Sequence, residues 1–304
     1  IPHDIGVITE EAGTDFHLSG IENAENEDEG TYFSWNCDKD FKLNLAGKVS
    51  LDREYVVPEK LDGSIDEDET HKVVVRFNGK FELRHTSSVY DWGLIFGVNI
   101  PKFQIVGVDD WSFEVVNAYL DLSSLSNPIA FSFPENYNHP GVANQNIAST
   151  WKGLYIETAK VKTPEGLFGD NNRVEFTANK VLVVGSKLSF NLAITNLLNF
   201  NSNKANSGWG ISLDTLQWNV LQNNVNLFRF SGLMSCPYFE ENDKLEYFGG
   251  YQKKLFKDRN NQDSIVSYYG IFIGPKGDLH LPIGAANFVM DDTSYVSLNK
   301  SSVA

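Results

Sequence analysis

The sequence predicts an all-β protein, mostly antiparallel, with long hairpins in an extended sandwich-like or irregular solenoid arrangement. Apolar and polar residues alternate in many segments, which is the period of a half-buried strand. Phe (21), Tyr (12) and Trp (6) are abundant, and asparagines mark many of the expected turns. Helical periodicity could be argued only for residues 186–198, and their alternation favours a strand.

The first quarter of the chain predicts an entry strand followed by two long strands. Residues 1–30 are interpreted as a strand plus an acidic loop. Residues 41–51 alternate, and Gly47 predicts a bulge. Alternation over residues 73–83 passes through Asn78-Gly79, so either a hairpin at this pair or one long strand fits the pattern.

The middle of the chain predicts two more strands and then a boundary. Residues 92–108 are rich in β-branched and aromatic side chains and are interrupted by Pro101. A second alternation begins at Trp111. Residues 131–149 are irregular, which divides the chain into a β-rich region at 1–148 and a β-hairpin region at 149–304. One continuous domain with a long loop is the alternative.

The second half predicts a strand over residues 187–194 and then a long hairpin. Residues 209–222 and 225–238 flank Asn223-Asn224, a pair suited to a two-residue loop. That loop would place Trp218 opposite Arg229, a cation–π pair worth about 0.5–1 kcal/mol if exposed.

The charge and the cysteines limit the partners and the compartment. A net charge of −15 opposes nucleic-acid binding and adsorption to anionic lipid. No apolar run reaches the length of a membrane-spanning helix, so no membrane insertion is expected. A closed outer-membrane barrel is the architectural alternative, against which stand the acidic loops and the final Ser-Ser-Val-Ala. Cys37 and Cys236 could bridge or remain free thiols, and an exported or extracellular location is the preferred expectation.

Carboxylates are the candidate catalytic residues. The sequence contains no zinc-ligand spacing, no nucleophile elbow and no phosphate-binding loop. Paired acids beside aromatic residues would suit a glycoside hydrolase, since such enzymes place two carboxylates across a cleft. Ordinary turns are the preferred interpretation of these acids, which are Asp109, Asp110, Glu114, Glu240, Glu241 and Asp243.

Two further groups of residues could bind ligands. Asp62, Asp66 and Asp68 are weak calcium candidates, and a solvated loop is the preferred interpretation because they do not match a helix-loop-helix calcium pattern. No cofactor is therefore expected. Trp92 and Trp151 are candidates for a sugar-stacking platform, together with Trp111 and Trp209, although tryptophan more often belongs to the core.

Three short segments of the sequence resemble segments of a known family of proteins. Residues 111–114 (WSFE), 119–123 (YLDLS) and 151–156 (WKGLYI) resemble recurring phrases in very large β-rich bacterial proteins associated with phage-tail-like contractile injection systems. The resemblance covers about the middle third of the chain and includes no catalytic motif. It implies a segment of a larger exported or injected protein of the effector type.

These observations favour a non-enzymatic structural or binding module whose partner is a protein or a glycan. Strong strand patterning without a catalytic motif supports this function. A glycoside hydrolase using the acids named above and a carbohydrate-binding module are the alternatives.

Overall fold

The computed structural model confirms an all-β, antiparallel chain with long hairpins. It describes residues 5–8, 15–18, 30–35, 40–86, 89–108, 110–128, 131–134, 137, 151–168, 173–200, 209–239, 243–257, 263–283, 286–291 and 293–303. These residues form strands and turns, and none of them lies in a helix that is long and apolar enough to cross a membrane.

The chain divides into two compact units by its internal contacts. The first unit comprises residues 1–162 with 178–190, and the second comprises residues 163–177 with 191–304. The boundary expected at 148/149 falls in residues 138–150, which lie outside the described part of the chain.

Eleven strands are numbered through residue 198. They are β1 (Ile5–Ile8), β2 (Asp15–Leu18), β3 (Tyr32–Trp35), β4 (Phe41–Leu51), β5 (Val56–Pro58), β6 (Val73–Thr86), β7 (Val89–Ile105), β8 (Ser112–Asp121), β9 (Gly153–Lys162), β10 (Glu175–Val184) and β11 (Lys187–Leu198).

Eight strands follow residue 209. They are β12 (Gly210–Ile211), β13 (Leu213–Leu221), β14 (Asn224–Ser235), β15 (Leu245–Lys257), β16 (Asp263–Pro275), β17 (Leu279–Ile283), β18 (Ala286–Met290) and β19 (Val296–Val303).

The first unit is a meander whose long strands pair in chain order from β4 through β6, β7 and β8 to β9. Short strands pair with different parts of one edge of a long strand. Both β2 and β3 pair with β4 on the side away from β6, and β1 pairs with β2. Strand β5 pairs with the end of β7, beyond the residues that pair with β6.

Neither of the two glycines singled out in this unit interrupts its strand, so the bulge expected at Gly47 is wrong. Strand β4 pairs with β6 in one unbroken register through Gly47, so there is no bulge at that glycine. Asn78-Gly79 does not turn, because β6 is one long strand whose residues pair with β4 on one side and β7 on the other. Hydrogen bonding on both edges therefore overrides the local turn signal, and the single-strand alternative is confirmed.

Strand β7 continues past Pro101 as a strand with an irregularity. Its register against β8 shifts between Val98 and Ile100 and again between Ile100 and Phe103. A proline cannot donate a ladder hydrogen bond, so it is accommodated where the ladder is locally disrupted.

One face of the first unit's sheet is apolar and partly open to solvent. Cross-strand rows on this face join side chains of β3, β4, β6 and β7. The exposed fraction is 70% for Trp35, 60% for Phe33 and 49% for Trp92. The apolar side chains of two rows are thus half-buried at best. These rows are Trp35, Phe41, Leu83 and Trp92, and Phe33, Leu43, Phe81 and Leu94.

The opposite face of the same strands carries charge around one buried carboxylate. The Glu82 side chain is almost fully buried and lies 3.3 Å from Lys80 Nζ, 3.5 Å from Arg84 Nη2 and 3.8 Å from Lys42 Nζ. Three cations thus compensate a carboxylate whose burial alone would be costly.

An aromatic core closes the first unit at its β9 end. Trp151 and Tyr155 are fully buried and pack with Leu182. The ring of Phe131 stacks on Trp151 with centroids 4.3 Å apart and meets Tyr155 edge-on at 5.1 Å. Residues from the segment after β8 therefore provide one side of this core.

The second unit is a meander with the order β13, β14, β15, β16, β19. Strand β12 pairs with the end of β14 beside β13, and β17 and β18 form a separate hairpin. Both strand segments predicted to flank residues 223–224 are present as β12–β13 and β14.

The loop between β13 and β14 lies one residue earlier than expected, and this changes which side chains meet. Leu221 pairs with Asn224, and the turn residues are Gln222 and Asn223, with φ of 50° and 68°. Positive φ at both positions is the geometry of a tight hairpin turn. A register shift after Asn219 then places Trp218 opposite Phe228.

The predicted Trp218–Arg229 pair is therefore wrong. Arg229 pairs with Gln217, the neighbour of Trp218 along β13. A shift of one residue moves a side chain to the opposite face of the sheet, because successive residues of a strand point to opposite sides. Arg229 consequently lies in a groove away from the indole.

Candidate functional site

The second unit carries a groove that runs across five strands. Its centre is one cross-strand row, in which paired residues share one face of the sheet. From β13 to β19 this row is Gln217, Arg229, Gly250, Gly270 and Asn299. The two adjacent glycines leave a floor without side chains in the middle of the row.

One wall of the groove is a ladder of stacked aromatic rings. Phe248 and Phe272 occupy the neighbouring row, and their rings stack with centroids 4.5 Å apart and planes 18° from parallel. Tyr295 extends the stack, with its centroid 5.2 Å from Phe272. The wall thus presents a continuous apolar surface along one side of the floor.

The other wall is amphipathic. Gln252 and Tyr268 pair across β15 and β16, two residues along each strand from the glycine floor. Arg229 Nη2 donates a hydrogen bond of 3.1 Å to Gln252 Oε1. The Lys254 ammonium lies 5.9 Å from the centroid of the Tyr268 ring. Amide, phenol and cationic groups therefore face the aromatic ladder across the floor.

The groove is large enough for several units of an extended chain. Its volume is about 690 Å³. Five strands separated by about 4.8 Å give it a length of about 19 Å, and rows about 7 Å apart place its walls about 14 Å from each other. Ligand sites in proteins typically have volumes of about 300–1,000 Å³.

Gly250 is required by the backbone as well as by the floor. A Cβ atom at Gly250 would lie 2.1 Å from the carbonyl oxygen of Phe228 on the neighbouring strand. At Gly270, by contrast, a Cβ atom would meet the side-chain oxygen of Asn299 at 2.8 Å, and this side chain can rotate away. The two floor positions therefore tolerate a side chain differently.

The electrostatics of the groove oppose those of the chain as a whole. Arg229 is a lining residue on the floor face, and none of the described residues that line the groove is an Asp or Glu. On the same face, Glu246 lies one row beyond the aromatic ladder, beside Phe248 along β15. The aromatic wall thus separates this carboxylate from the floor.

The predicted catalytic acids that the structure describes do not line this groove. Glu114 on β8 forms an ion pair with Lys160 at 3.0 Å. Asp110 is exposed in the turn before β8, with φ of 63°. Asp243 Oδ2 accepts a hydrogen bond of 2.6 Å from the His280 backbone N–H. The remaining candidates, Asp109, Glu240 and Glu241, lie outside the described residues.

The weak calcium candidates belong to a self-contained loop. Asp62 and Asp68 accept hydrogen bonds from Ser64 and Thr70, respectively, and these bonds lower the pKa of each carboxyl. Asp66 lies 2.7 Å from His71 Nδ1, which lowers the pKa of Asp66 and raises that of His71.

Arg53 supplies a cation at the centre of the same loop. Its guanidinium donates hydrogen bonds to the backbone carbonyls of Asp66, Asp68 and His71 at 2.8–3.1 Å. Among the residues that the structure describes, no cluster of three or more His, Cys, Asp or Glu is arranged to hold a metal ion.

The tryptophan candidates differ sharply in exposure. Trp151 is completely buried in the aromatic core, so its ring is not presented to a ligand. Trp92 is half exposed, and Lys152 Nζ lies 5.9 Å from its ring centroid. Trp111 is half-buried, and Trp209 is 55% exposed before β12. Cys236 has a free, half-buried thiol, while Cys37 lies outside the described residues.

Asp121 is a buried carboxyl at the end of β8. Its side chain is inaccessible to solvent, and Oδ1 accepts a 2.8 Å hydrogen bond from the Ser123 backbone N–H. Burial raises the pKa of Asp121 to about 6, although the Ser123 hydrogen bond and Lys152 oppose this increase. The raised pKa of Asp121 is thus a consequence of the burial of the turn after β8.

Replacing Asp121 with asparagine should stabilise the first unit at neutral pH. The folded state holds a proton on Asp121 up to about pH 6, whereas an unfolded aspartate loses it near pH 4. The wild-type protein therefore loses stability as pH rises from about 4 to 6. Asp121→Asn should be about 2 kcal/mol more stable at pH 7 and nearly unchanged at pH 4, as measured by urea unfolding. An equal difference at both pH values would contradict the assignment.

Sequence reasoning missed the groove, although a signal for it is present. Glycines in the interior of a strand indicate a close backbone approach or a space for a ligand. Gly249-Gly250 and Gly270 interrupt two strands that are otherwise rich in aromatic residues. Only the register places Gly250 opposite Gly270 and thereby forms one floor.

The fold and the groove define an antiparallel β-protein with an open surface cleft in its second unit, and the described lining of that cleft contains no carboxylate. Comparisons with models of protein families, with curated proteins and with solved structures found no match. The resemblance to proteins of contractile injection systems therefore stays a prediction.

Proposed function

We propose that this chain is a non-enzymatic binding module that holds a carbohydrate chain in the groove of its second unit. The observation that carries the proposal is the glycine floor between an aromatic ladder and an amide-bearing wall. Its key residues are Gly250, Gly270, Phe248, Phe272 and Gln252.

The chemistry of a sugar suits both walls. A pyranose ring has apolar C–H faces, which pack on aromatic rings, and a rim of hydroxyl groups, which pair with amides and guanidinium groups. Phe248 and Phe272 supply the rings, and Gln217, Gln252 and Asn299 supply side-chain amides. Such a mixed lining is typical of small-molecule sites that combine apolar contact with a few orienting polar groups.

An extended peptide is a poorer match for the same surface. Strands β14, β15 and β16, which form the middle of the floor, are each hydrogen-bonded to a neighbour on both sides. A peptide lying across them would find no unpaired strand edge, which is the usual source of backbone recognition by a sheet.

Binding without hydrolysis is supported by the composition of the lining. Glycoside hydrolases of the common type need two carboxyl groups about 5–10 Å apart around the scissile bond. The described residues that line the groove supply none. We therefore favour a binding module over the hydrolase alternative.

The three segments that resemble injection-system proteins support a place for this module in a larger exported or injected bacterial protein. They lie together in the first unit: the first two occupy β8 and its flanks, and the third includes Trp151, the start of β9 and Tyr155. Mass measurement of the native protein tests this expectation, and a native mass equal to that of the 304 residues would contradict it.

Filling the floor should abolish carbohydrate binding. Gly270→Leu places a bulky side chain where the ligand would lie, so we expect at least tenfold weaker binding to any polysaccharide that the wild-type protein binds. Asn299→Ala removes an exposed amide from the same row and should weaken binding with little effect on folding. Isothermal titration calorimetry and a glycan array provide the measurements.

Leu298→Ala is the matched control, because Leu298 is 69% exposed and adjacent to Asn299 but points to the opposite face of β19. This variant should bind like the wild type. Undiminished binding by folded Gly270→Leu and Asn299→Ala proteins would locate the ligand elsewhere and refute the groove as the site. Thermal unfolding establishes that each variant is folded.

A further inference from the structure

We infer that the carbohydrate held in the groove is acidic, with carboxylate groups that pair with the guanidinium of Arg229. This inference rests on the proposed function and specifies the class of its ligand.

The first support is the sign of the charge around the floor. The chain carries 40 acidic and 25 basic residues, so a groove lined at random would contain carboxylates. The described lining instead contains Arg229 on the floor face and no acid. Lys254 lies next to the lining residue Tyr268. A local positive potential on an acidic protein is what recognition of an anionic ligand requires.

The second support is the position of Arg229. It occupies the central row between Gln217 and Gly250, and Gly250 has no side chain to cover it. The guanidinium is exposed and is oriented by its hydrogen bond to Gln252 Oε1. An arginine has five N–H donors in a fixed fork, so one hydrogen bond leaves others for a carboxylate above the floor.

The third support is the position of Glu246, a carboxylate on the same face of the sheet as the floor. Glu246 lies two residues along β15 from Phe248, on the far side of the aromatic ladder from Gly250. An anionic ligand on the floor would therefore meet cations at one wall and rings at the other. Repulsion from Glu246 would be weakened by distance and solvent.

A nucleic acid is a less suitable anion for this groove. Its phosphates are recognised by clusters of Lys and Arg that can neutralise several charges at once. The groove presents Arg229 with few further cations on a chain of net charge −15. An acidic polysaccharide carries fewer charges for each unit of apolar ring surface and matches one guanidinium beside an aromatic ladder.

The experiment compares each acidic polysaccharide with its own neutral form. Oligomers of polygalacturonate, alginate and hyaluronan, and the carboxyl-reduced form of each, are titrated into the full chain by calorimetry at 50 and 300 mM NaCl. We expect at least one acidic form to bind at least tenfold more tightly than its reduced partner, with weaker binding at the higher salt concentration. An oligodeoxythymidylate is included as the nucleic-acid probe.

Arg229→Gln should remove the preference for the acidic form, so that the acidic and carboxyl-reduced forms bind this variant with equal affinity. Arg229→Lys should retain part of the preference, since the charge remains but the planar fork is lost. Arg76→Gln, an exposed arginine of β6 in the first unit, controls for the general loss of a positive charge and should leave the preference unchanged.

The outcomes separate the two proposals. Equal binding of acidic and reduced forms, lost in Gly270→Leu, would overturn the acidic ligand and leave the carbohydrate-binding function standing. Binding of the nucleic-acid probe in preference to every polysaccharide would overturn both. Absence of binding to these polysaccharides and to a neutral glycan array would also overturn both, because the proposed function itself would have failed.

Discussion

Replacing Trp151 with alanine is expected to lower the free energy of unfolding by about 3–5 kcal/mol, the usual cost of truncating a buried tryptophan. The side chain is fully buried, and its ring stacks on Phe131 at a centroid distance of 4.3 Å. Removing it would leave a cavity bordered by Tyr155 and Leu182. Urea unfolding monitored by circular dichroism measures the loss.

Trp92→Ala is the matched control for this prediction. Trp92 is 49% exposed and has the cation of Lys152 as its polar neighbour, at 5.9 Å. The same chemical change should therefore cost only about 1 kcal/mol. Equal losses in the two variants would contradict the assignment of Trp151 to the core of the first unit.

Gly250→Ala is expected to destabilise the second unit by about 3 kcal/mol. Its new methyl group would lie 2.1 Å from the Phe228 carbonyl oxygen, and backbone atoms in the middle of a sheet cannot move aside cheaply. Strands β14 and β15 would have to separate locally, which would disturb the hydrogen bonds between them. Thermal and urea unfolding of the purified variant would measure the loss.

Gly270→Ala provides the comparison within the same row. Its methyl group would meet the Asn299 side-chain oxygen, which can rotate toward solvent, so the expected cost is below about 1 kcal/mol. If both alanine variants were as stable as the wild type, the close approach of β14 to Gly250 would be incorrect.

Most strands could be predicted because the alternation of apolar and polar residues can be read from neighbouring positions in the sequence. Strand β4 begins and ends at the residues that the alternation indicated, and β11 covers the alternating run from Lys187 onward. Such patterns survive folding because the two faces of a strand meet different environments.

Turns were less predictable because the local preference of a segment to turn competes with its pairing to distant strands. Asn78-Gly79 has the composition of a tight turn, yet β4 and β7 pair with both edges of that segment and hold it extended. In the β13–β14 hairpin, the expected turn residues were Asn223 and Asn224. The residues that adopt positive φ are instead Gln222 and Asn223. That difference changed the partner of Trp218 from Arg229 to Phe228.

The candidate site could not be predicted because its residues come from five different strands. Gln217, Arg229, Gly250, Gly270 and Asn299 are separated by up to dozens of positions in the chain and share no motif. Their adjacency follows from four consecutive strand registers. An error of one residue in any of these registers would replace at least one member of the row by a residue that points to the other face.

The sequence by itself determined the all-β class, the antiparallel hairpins and the acidic character of the chain, because each follows from composition and from the spacing of neighbours. The tertiary structure alone decided that Trp151 is core and Trp92 is surface, and that Gly250 and Gly270 form one floor beneath Arg229. Burial and cross-strand adjacency depend on which distant segments pair, and local patterning leaves that choice open.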